Sequence, residues 1–418
     1  MSKPSSQLFS YCSNLKNKSQ NFNASFLTIL LFLVFQFGSA QEKIKFEDVK
    51  DEKNYGRFRY VDVKGHSGIH MYSGETLGEA VSSGYGSFEV RYGWQPNGVD
   101  HWANKYYGSA SYGVGFYSGY IGDPQIFGNP NAIYGFADFV ASKPRVGRKT
   151  SWHIIPAVGL TYNLIPFDPE TNETNDAIGS KVAVYFNVGY GANTILTREL
   201  DLTYGIDFTH FSNGRSNTPN YGLNMFGLNL GMRYHYNADQ RKIDTSPFTR
   251  DLLQVRYDRP KKQKNEKLHH NSFSIYTAVG SVENDQDDKI EGAPDQKYVT
   301  FSGVLDYRHR FSTMHAITVG VDLFYDESLS PTYPETSDRY LYGIHGGYDF
   351  IFYKFAIRAQ IGTYLGEDGD KGKENLWSRF ALQYNITDWF HAQVGLKTRR
   401  GFAADWVEFG VGFTPFKW

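Results

Sequence analysis

Ile317-Thr318-Val319-Gly320-Val321-Asp322-Leu323-Phe324-Tyr325 decides the fold. Ile317, Val319, Val321, Leu323 and Tyr325 share one parity, and Thr318, Gly320 and Asp322 fall on the other. A period of two predicts a strand with one apolar face. The pattern recurs: Tyr353, Phe355, Ile357, Ala359 and Ile361 alternate with Lys354, Arg358 and Gln360. Phe390, Ala392, Val394 and Leu396 alternate with His391, Gln393 and Lys397, and Val182, Val184, Phe186, Val188 and Tyr190 with Asn187 and Gly189. A soluble sandwich would turn its charged face to bulk water, whereas a membrane barrel turns it to the lumen.

The connections separate the two. Outer-membrane barrels have short periplasmic turns and longer outer loops. In the second half of the chain a long polar connection (Glu283 to Gln296) precedes a tight one (Phe311 to Met314). Long and short then continue to alternate: Glu327 to Ser337, Phe350 to Tyr353, Gly366 to Asn375, Asn385 to Asp388. The end, Phe413-Thr414-Pro415-Phe416-Lys417-Trp418, is an aromatic terminal strand of the kind bacterial outer-membrane proteins carry. The expected fold is all-β, an antiparallel transmembrane barrel of about 14–16 strands. The stretch before about residue 84 gives no clear strand pattern.

Composition agrees. The chain has 31 Tyr, 32 Phe and 42 Gly, yet its mean hydropathy is −0.48. Aromatic and glycine-rich but polar on average suits a wall greasy on one side and wet on the other. Lys3, Lys16 and Lys18, the apolar run Phe26 to Phe37, and Gly38-Ser39-Ala40 read as an export signal over residues 1–40, cleaved after Ala40. Cleavage removes Cys12, the single cysteine, and with it thiolate chemistry and Cys-based metal sites. It takes three lysines and no acid, so the formal charge falls from −1 to −4, no footprint for nucleic acid. No later apolar run is long enough for a helical span.

One composition shift divides the chain. Asn237 to Lys267 is charged, with Pro247, Pro260 and Lys261-Lys262-Gln263-Lys264. The expected organisation is a signal (1–40), an N-terminal barrel half (41–237), a periplasmic linker (238–267) and a C-terminal barrel half (268–418) of one enlarged barrel.

The stretch Asp201 to Tyr236 carries the chemistry. Leu202, Tyr204, Ile206 and Phe208 define a lipid-facing parity that continues through His210 and Ser212. On the returning strand Phe226, Leu228, Leu230, Met232 and Tyr234 define it, and Asn224 lies on its backward extension. Three polar side chains facing lipid at one rim cost free energy unless paired or functional. A serine beside a histidine, with a third group to orient the ring, is the arrangement for acyl transfer. An ester of a lipid would be the bond in reach.

Thr209-His210-Phe211-Ser212-Asn213-Gly214 with Pro219-Asn220-Tyr221-Gly222-Leu223-Asn224 resembles the active-site stretch of PagL-type lipid A 3-O-deacylases. That family consists of outer-membrane barrels with a lipid-facing Ser-His-Glu triad that hydrolyse the acyl ester at position 3 of lipid A. The resemblance implies Ser212 as nucleophile, His210 as base and Asn213 as oxyanion donor, with no cofactor and no metal, and lipopolysaccharide as partner in the outer membrane; a homodimer stays open. Two departures stand out. Asn224 occupies the position of the family's glutamate; a carboxamide can orient the ring but cannot neutralise the imidazolium. The clear match also covers only about residues 201–236, with compatible pattern back to about 84, and gives the C-terminal half no counterpart.

Two further readings compete: a porin-like channel with Asp322, Lys354, Arg358 and Lys397 in its lumen, and a structural barrel with a decayed site. Neither Gly-x-Ser-x-Gly nor His-Glu-x-x-His occurs. The acidic runs Glu283 to Asp288 and Glu367 to Asp370 read as solvated loops more than as Ca²⁺ sites. His269-His270 reads as solvated.

Overall fold

The computed structural model describes residues 57–418 except 73, 75, 97–105, 108–109, 143–148, 198, 237–267, 284–295, 367, 369–370, 372 and 400–402. The expected signal, the linker and most of both acidic runs lie outside the described residues. Sixteen strands follow in order: β1 (Arg57–His70), β2 (Tyr85–Pro96), β3 (Ser111–Tyr120), β4 (Gly128–Ser142), β5 (Thr150–Leu164), β6 (Ala183–Ile195), β7 (Leu200–Ser212) and β8 (Leu223–Tyr236). Then come β9 (Asn271–Glu283), β10 (Lys297–Arg310), β11 (His315–Asp326), β12 (Tyr340–Phe352), β13 (Phe355–Tyr364), β14 (Leu376–Asn385), β15 (Phe390–Arg399) and β16 (Ala403–Lys417).

The strand number matches the sequence expectation, but the wall closes twice instead of once. β1 pairs with both β2 and β8, and β9 with both β10 and β16, giving two closed antiparallel rings of eight. The two halves of one enlarged barrel are thus two barrels. An eight-stranded ring is just wide enough for side chains to fill it. In the first ring Arg233 of β8 bridges Asp62 of β1 (2.9 Å) and Asp138 of β4 (3.0 Å) across the interior. In the second, Arg379 bridges Asp322 (2.9 Å) and Glu408 (2.7 Å), and Arg358 pairs with Asp306 and Asp349. Lys397 and Lys373 share Asp405 beneath Phe324, Trp377 and Trp406. Buried charges persist only when paired in this way. The channel reading assumed a wide, wet lumen, and these interiors are packed. Of its residues, Asp322, Arg358 and Lys397 are buried inside, whereas Lys354 lies in the β12–β13 turn, where its ammonium donates to Ile386 O at 3.4 Å.

β1 was illegible because its outward parity reads Arg59, Val61, Val63, Gly65, Ser67, Ile69, too weakly apolar to stand out. Its inward residues Tyr60, Asp62, Lys64 and His66 are all buried. Both barrels run the same way: β6–β7, β10–β11, β12–β13 and β14–β15 turn within two to four residues at one rim, the periplasmic one of the sequence reading, although the first barrel also places its longer β2–β3 connection, residues 97–110, there. They touch at both rims. Phe139 of the first packs on Phe350 and Phe352 of the second at the periplasmic end (ring centroids 5.2 and 5.1 Å). At the outer end the β7–β8 loop meets β9, β10, β15 and β16.

Candidate active site at the outer rim of the first barrel

β7 places the site through its own alternation. Asp207, Thr209 and Phe211 are buried in the interior, while Tyr204 and Ile206 face outward at 37% and 39% exposure. His210 and Ser212 continue that outward parity. Neighbours two apart on a strand are about 6.5–7 Å apart at Cα. The β7–β8 register sets Asn224 directly across from His210, and His210 Nδ1 lies 2.7 Å from Asn224 Oδ1. A ring donating Nδ1–H to that oxygen keeps Nε2 as its proton acceptor.

Ser212 is only 7% exposed despite its outward parity. Its Oγ accepts from Gly214 N–H at 3.1 Å and from Asn220 Nδ2 at 2.9 Å. No hydrogen bond among the described residues joins Ser212 to His210. Asn213 directs its Nδ2 to Asn217 O (3.0 Å), and its Oδ1 accepts from Arg215 N–H (2.9 Å). Its carboxamide braces the loop, and the amide that reaches the serine is that of Asn220. The sequence signal for Asn220 was present, since it sits within the motif, but nothing in one dimension said which asparagine would turn back. Asn213 N–H fixes it, donating to Asn220 Oδ1 at 3.1 Å.

A second serine–histidine pair escaped sequence reading altogether. Ser151 Oγ lies 2.7 Å from His153 Nε2, and His153 Nδ1 lies 2.5 Å from Asp138 Oδ1. These three point into the interior of the first barrel, and Ser151 is 0% exposed. Ser151-Trp152-His153 carries the same spacing as His210-Phe211-Ser212 in reverse order.

Strands with apolar outward faces, closed into antiparallel rings, define the class: an antiparallel transmembrane β-barrel protein of the bacterial outer membrane. Residues 86–233 match the family described as lipid A 3-O-deacylase (PagL), and residues 271–418 match the acyloxyacyl hydrolase C-terminal domain. Each barrel of the chain thus matches a family model of the lipid A deacylase type. The second match corrects the expectation that the C-terminal half has no counterpart. No curated protein matches the chain. Among solved structures, the outer-membrane enzyme PagL is 14% identical, covers 41% of this chain and 97% of its own, with a TM-score of 0.28. Neisserial surface protein A is 10% identical, with 43% and 97% covered and a TM-score of 0.28. The N-terminal β-barrel domain of Pseudomonas aeruginosa OprF is 11% identical, with 42% and 97% covered and a TM-score of 0.25.

Proposed function

We propose that the protein is a serine esterase that removes an ester-linked acyl chain from lipid A in the outer leaflet. The observation that carries this reading is the His210–Asn224 hydrogen bond, made beside Ser212 on the outward face of the outer rim. The reaction requires the Ser212 hydroxyl to turn from Asn220 toward His210 Nε2, a contact of the kind that often tightens only with substrate bound. His210 takes the Oγ proton as Oγ attacks the ester carbonyl. Gly214 N–H and Asn220 Nδ2, both already beside Oγ, are placed to receive the oxyanion. Collapse breaks the ester bond, and His210 returns its proton to the departing sugar alkoxide. Water then attacks the acyl-enzyme, giving its proton to His210. The acyl C–Oγ bond breaks as His210 passes that proton to Oγ, and the fatty acid leaves, so the sum is ester plus water to alcohol plus acid. Asn224 holds the ring but supplies no charge, so the imidazolium is less stabilised than beside a carboxylate.

The test is mass spectrometry of lipid A from cells expressing the wild type or Ser212→Ala. Wild-type lipid A should lose one acyl chain, and the variant's should not. Identical profiles across growth conditions would leave a structural barrel with a decayed site.

A further inference from the structure

We propose that the second barrel forms part of the hydrolytic site, with Glu283 acting as a positioning residue that holds the loop bearing the hydrogen-bond donors of Ser212. This rests on the esterase reading above. Glu283 ends β9 and is buried. Its Oε2 accepts from Thr218 N–H at 2.6 Å, and its own N–H donates to Arg215 O at 3.3 Å. Lys297, across the ladder from Glu283, sets its ammonium 3.0 Å from Asn217 Oδ1. Beneath the loop, a Cβ on Gly214 would overlap Val407 and come within 3.2 Å of Leu396, outward residues of β16 and β15.

These contacts connect to the serine. Asn217 O receives Asn213 Nδ2, Asn213 N–H fixes Asn220 Oδ1, and Asn220 Nδ2 donates to Ser212 Oγ. The first barrel's own β5–β6 loop hydrogen-bonds only the far end among the described residues, through Asp176 O and Ala177 O to the N–H groups of Tyr221 and Gly222 (3.2 and 3.0 Å), and packs Gly179 closely against Asn217 O and Pro219 O. In the middle of the loop, Arg215 O, Asn217 Oδ1 and Thr218 N–H find their partners on the second barrel, while Ser216 turns back to Asn213 O. A carboxylate accepting a backbone N–H makes a strong, charge-assisted bond, so Glu283 is the anchor whose loss the loop feels most.

The experiment uses the full chain in detergent micelles with purified lipid A. It reads fatty-acid release as kcat and KM, and amide hydrogen exchange over residues 213–220. Glu283→Ala should lower kcat about 100-fold, the scale of a misplaced catalytic group, with KM little changed and exchange in the loop faster. Glu283→Gln keeps an acceptor for Thr218 N–H and should restore most of both. Phe139→Ala loosens the barrels at the periplasmic rim and should change neither. Wild-type kcat in Glu283→Ala, or an equal loss in Phe139→Ala, would overturn the assignment. If the wild type releases no fatty acid, it is the esterase reading that fails, and the exchange arm still decides whether Glu283 holds the loop.

Discussion

The first barrel carries two serine–histidine pairs, one on each face of its wall, and they differ in opposite respects. The inner set, Ser151, His153 and Asp138, has every hydrogen bond of a triad, 2.7 and 2.5 Å, with Asp138 further tied to Arg233 at 3.0 Å. It is sealed inside a filled ring. The outer set has the ring oriented by a neutral partner and the serine hydroxyl turned toward Asn220, but it follows the outward parity of its strand. Hydrogen-bond distances and access thus favour different sets. The inner set reads as part of the polar network that fills the lumen, because a buried carboxylate and guanidinium must be paired and a histidine and serine complete the pairing.

The largest effect should separate the two sets. Ser212→Ala should lower acyl release by about 10³-fold or more, as removal of a triad nucleophile does, while Ser151→Ala leaves the rate near wild type. The reverse outcome in the same lipid A assay would transfer the chemistry to the lumen. Asp138→Ala strips both His153 and Arg233 of a buried partner. It should destabilise the first barrel by about 3–5 kcal/mol, read as a lower denaturant midpoint in micelles; an unchanged midpoint would remove the structural role of the inner set. Gly214→Ala sharpens the outer side. Gly214 has φ +64°, and its would-be Cβ overlaps Val407. Backbone cost of about 1–2 kcal/mol should appear as a displaced loop and about a tenfold drop in kcat, with both barrels intact by heat-modified electrophoretic mobility. Smallest is Asn224→Glu. A carboxylate opposite His210 should preserve or raise kcat by up to about tenfold through stabilisation of the imidazolium. Loss of activity in a folded variant would show that Asn224 does not orient the ring.

The outward parity of His210, Ser212 and Asn224 was legible because each follows from a period of two counted along its own strand. β1 was hidden by its weak outward face, and Asn220 by a loop whose path no periodicity describes. Ser151, His153 and Asp138 were missed because Asp138 sits on another strand and meets His153 only through the β4–β5 pairing.

By itself the sequence determined which face each strand turns outward and which to the interior, where the rims lie, and that His210, Ser212 and Asn224 share the outward parity, since all of these depend on neighbours two residues apart. Only the tertiary structure decided that β1 meets β8 and β9 meets β16, that the asparagine on the serine is Asn220, and that Glu283 of a second barrel grips the loop. Those are hydrogen bonds between residues distant in the chain, and the same local alternation is compatible with one ring of sixteen or two of eight. Filling the interior with paired charges across eight strands is what fixes the choice.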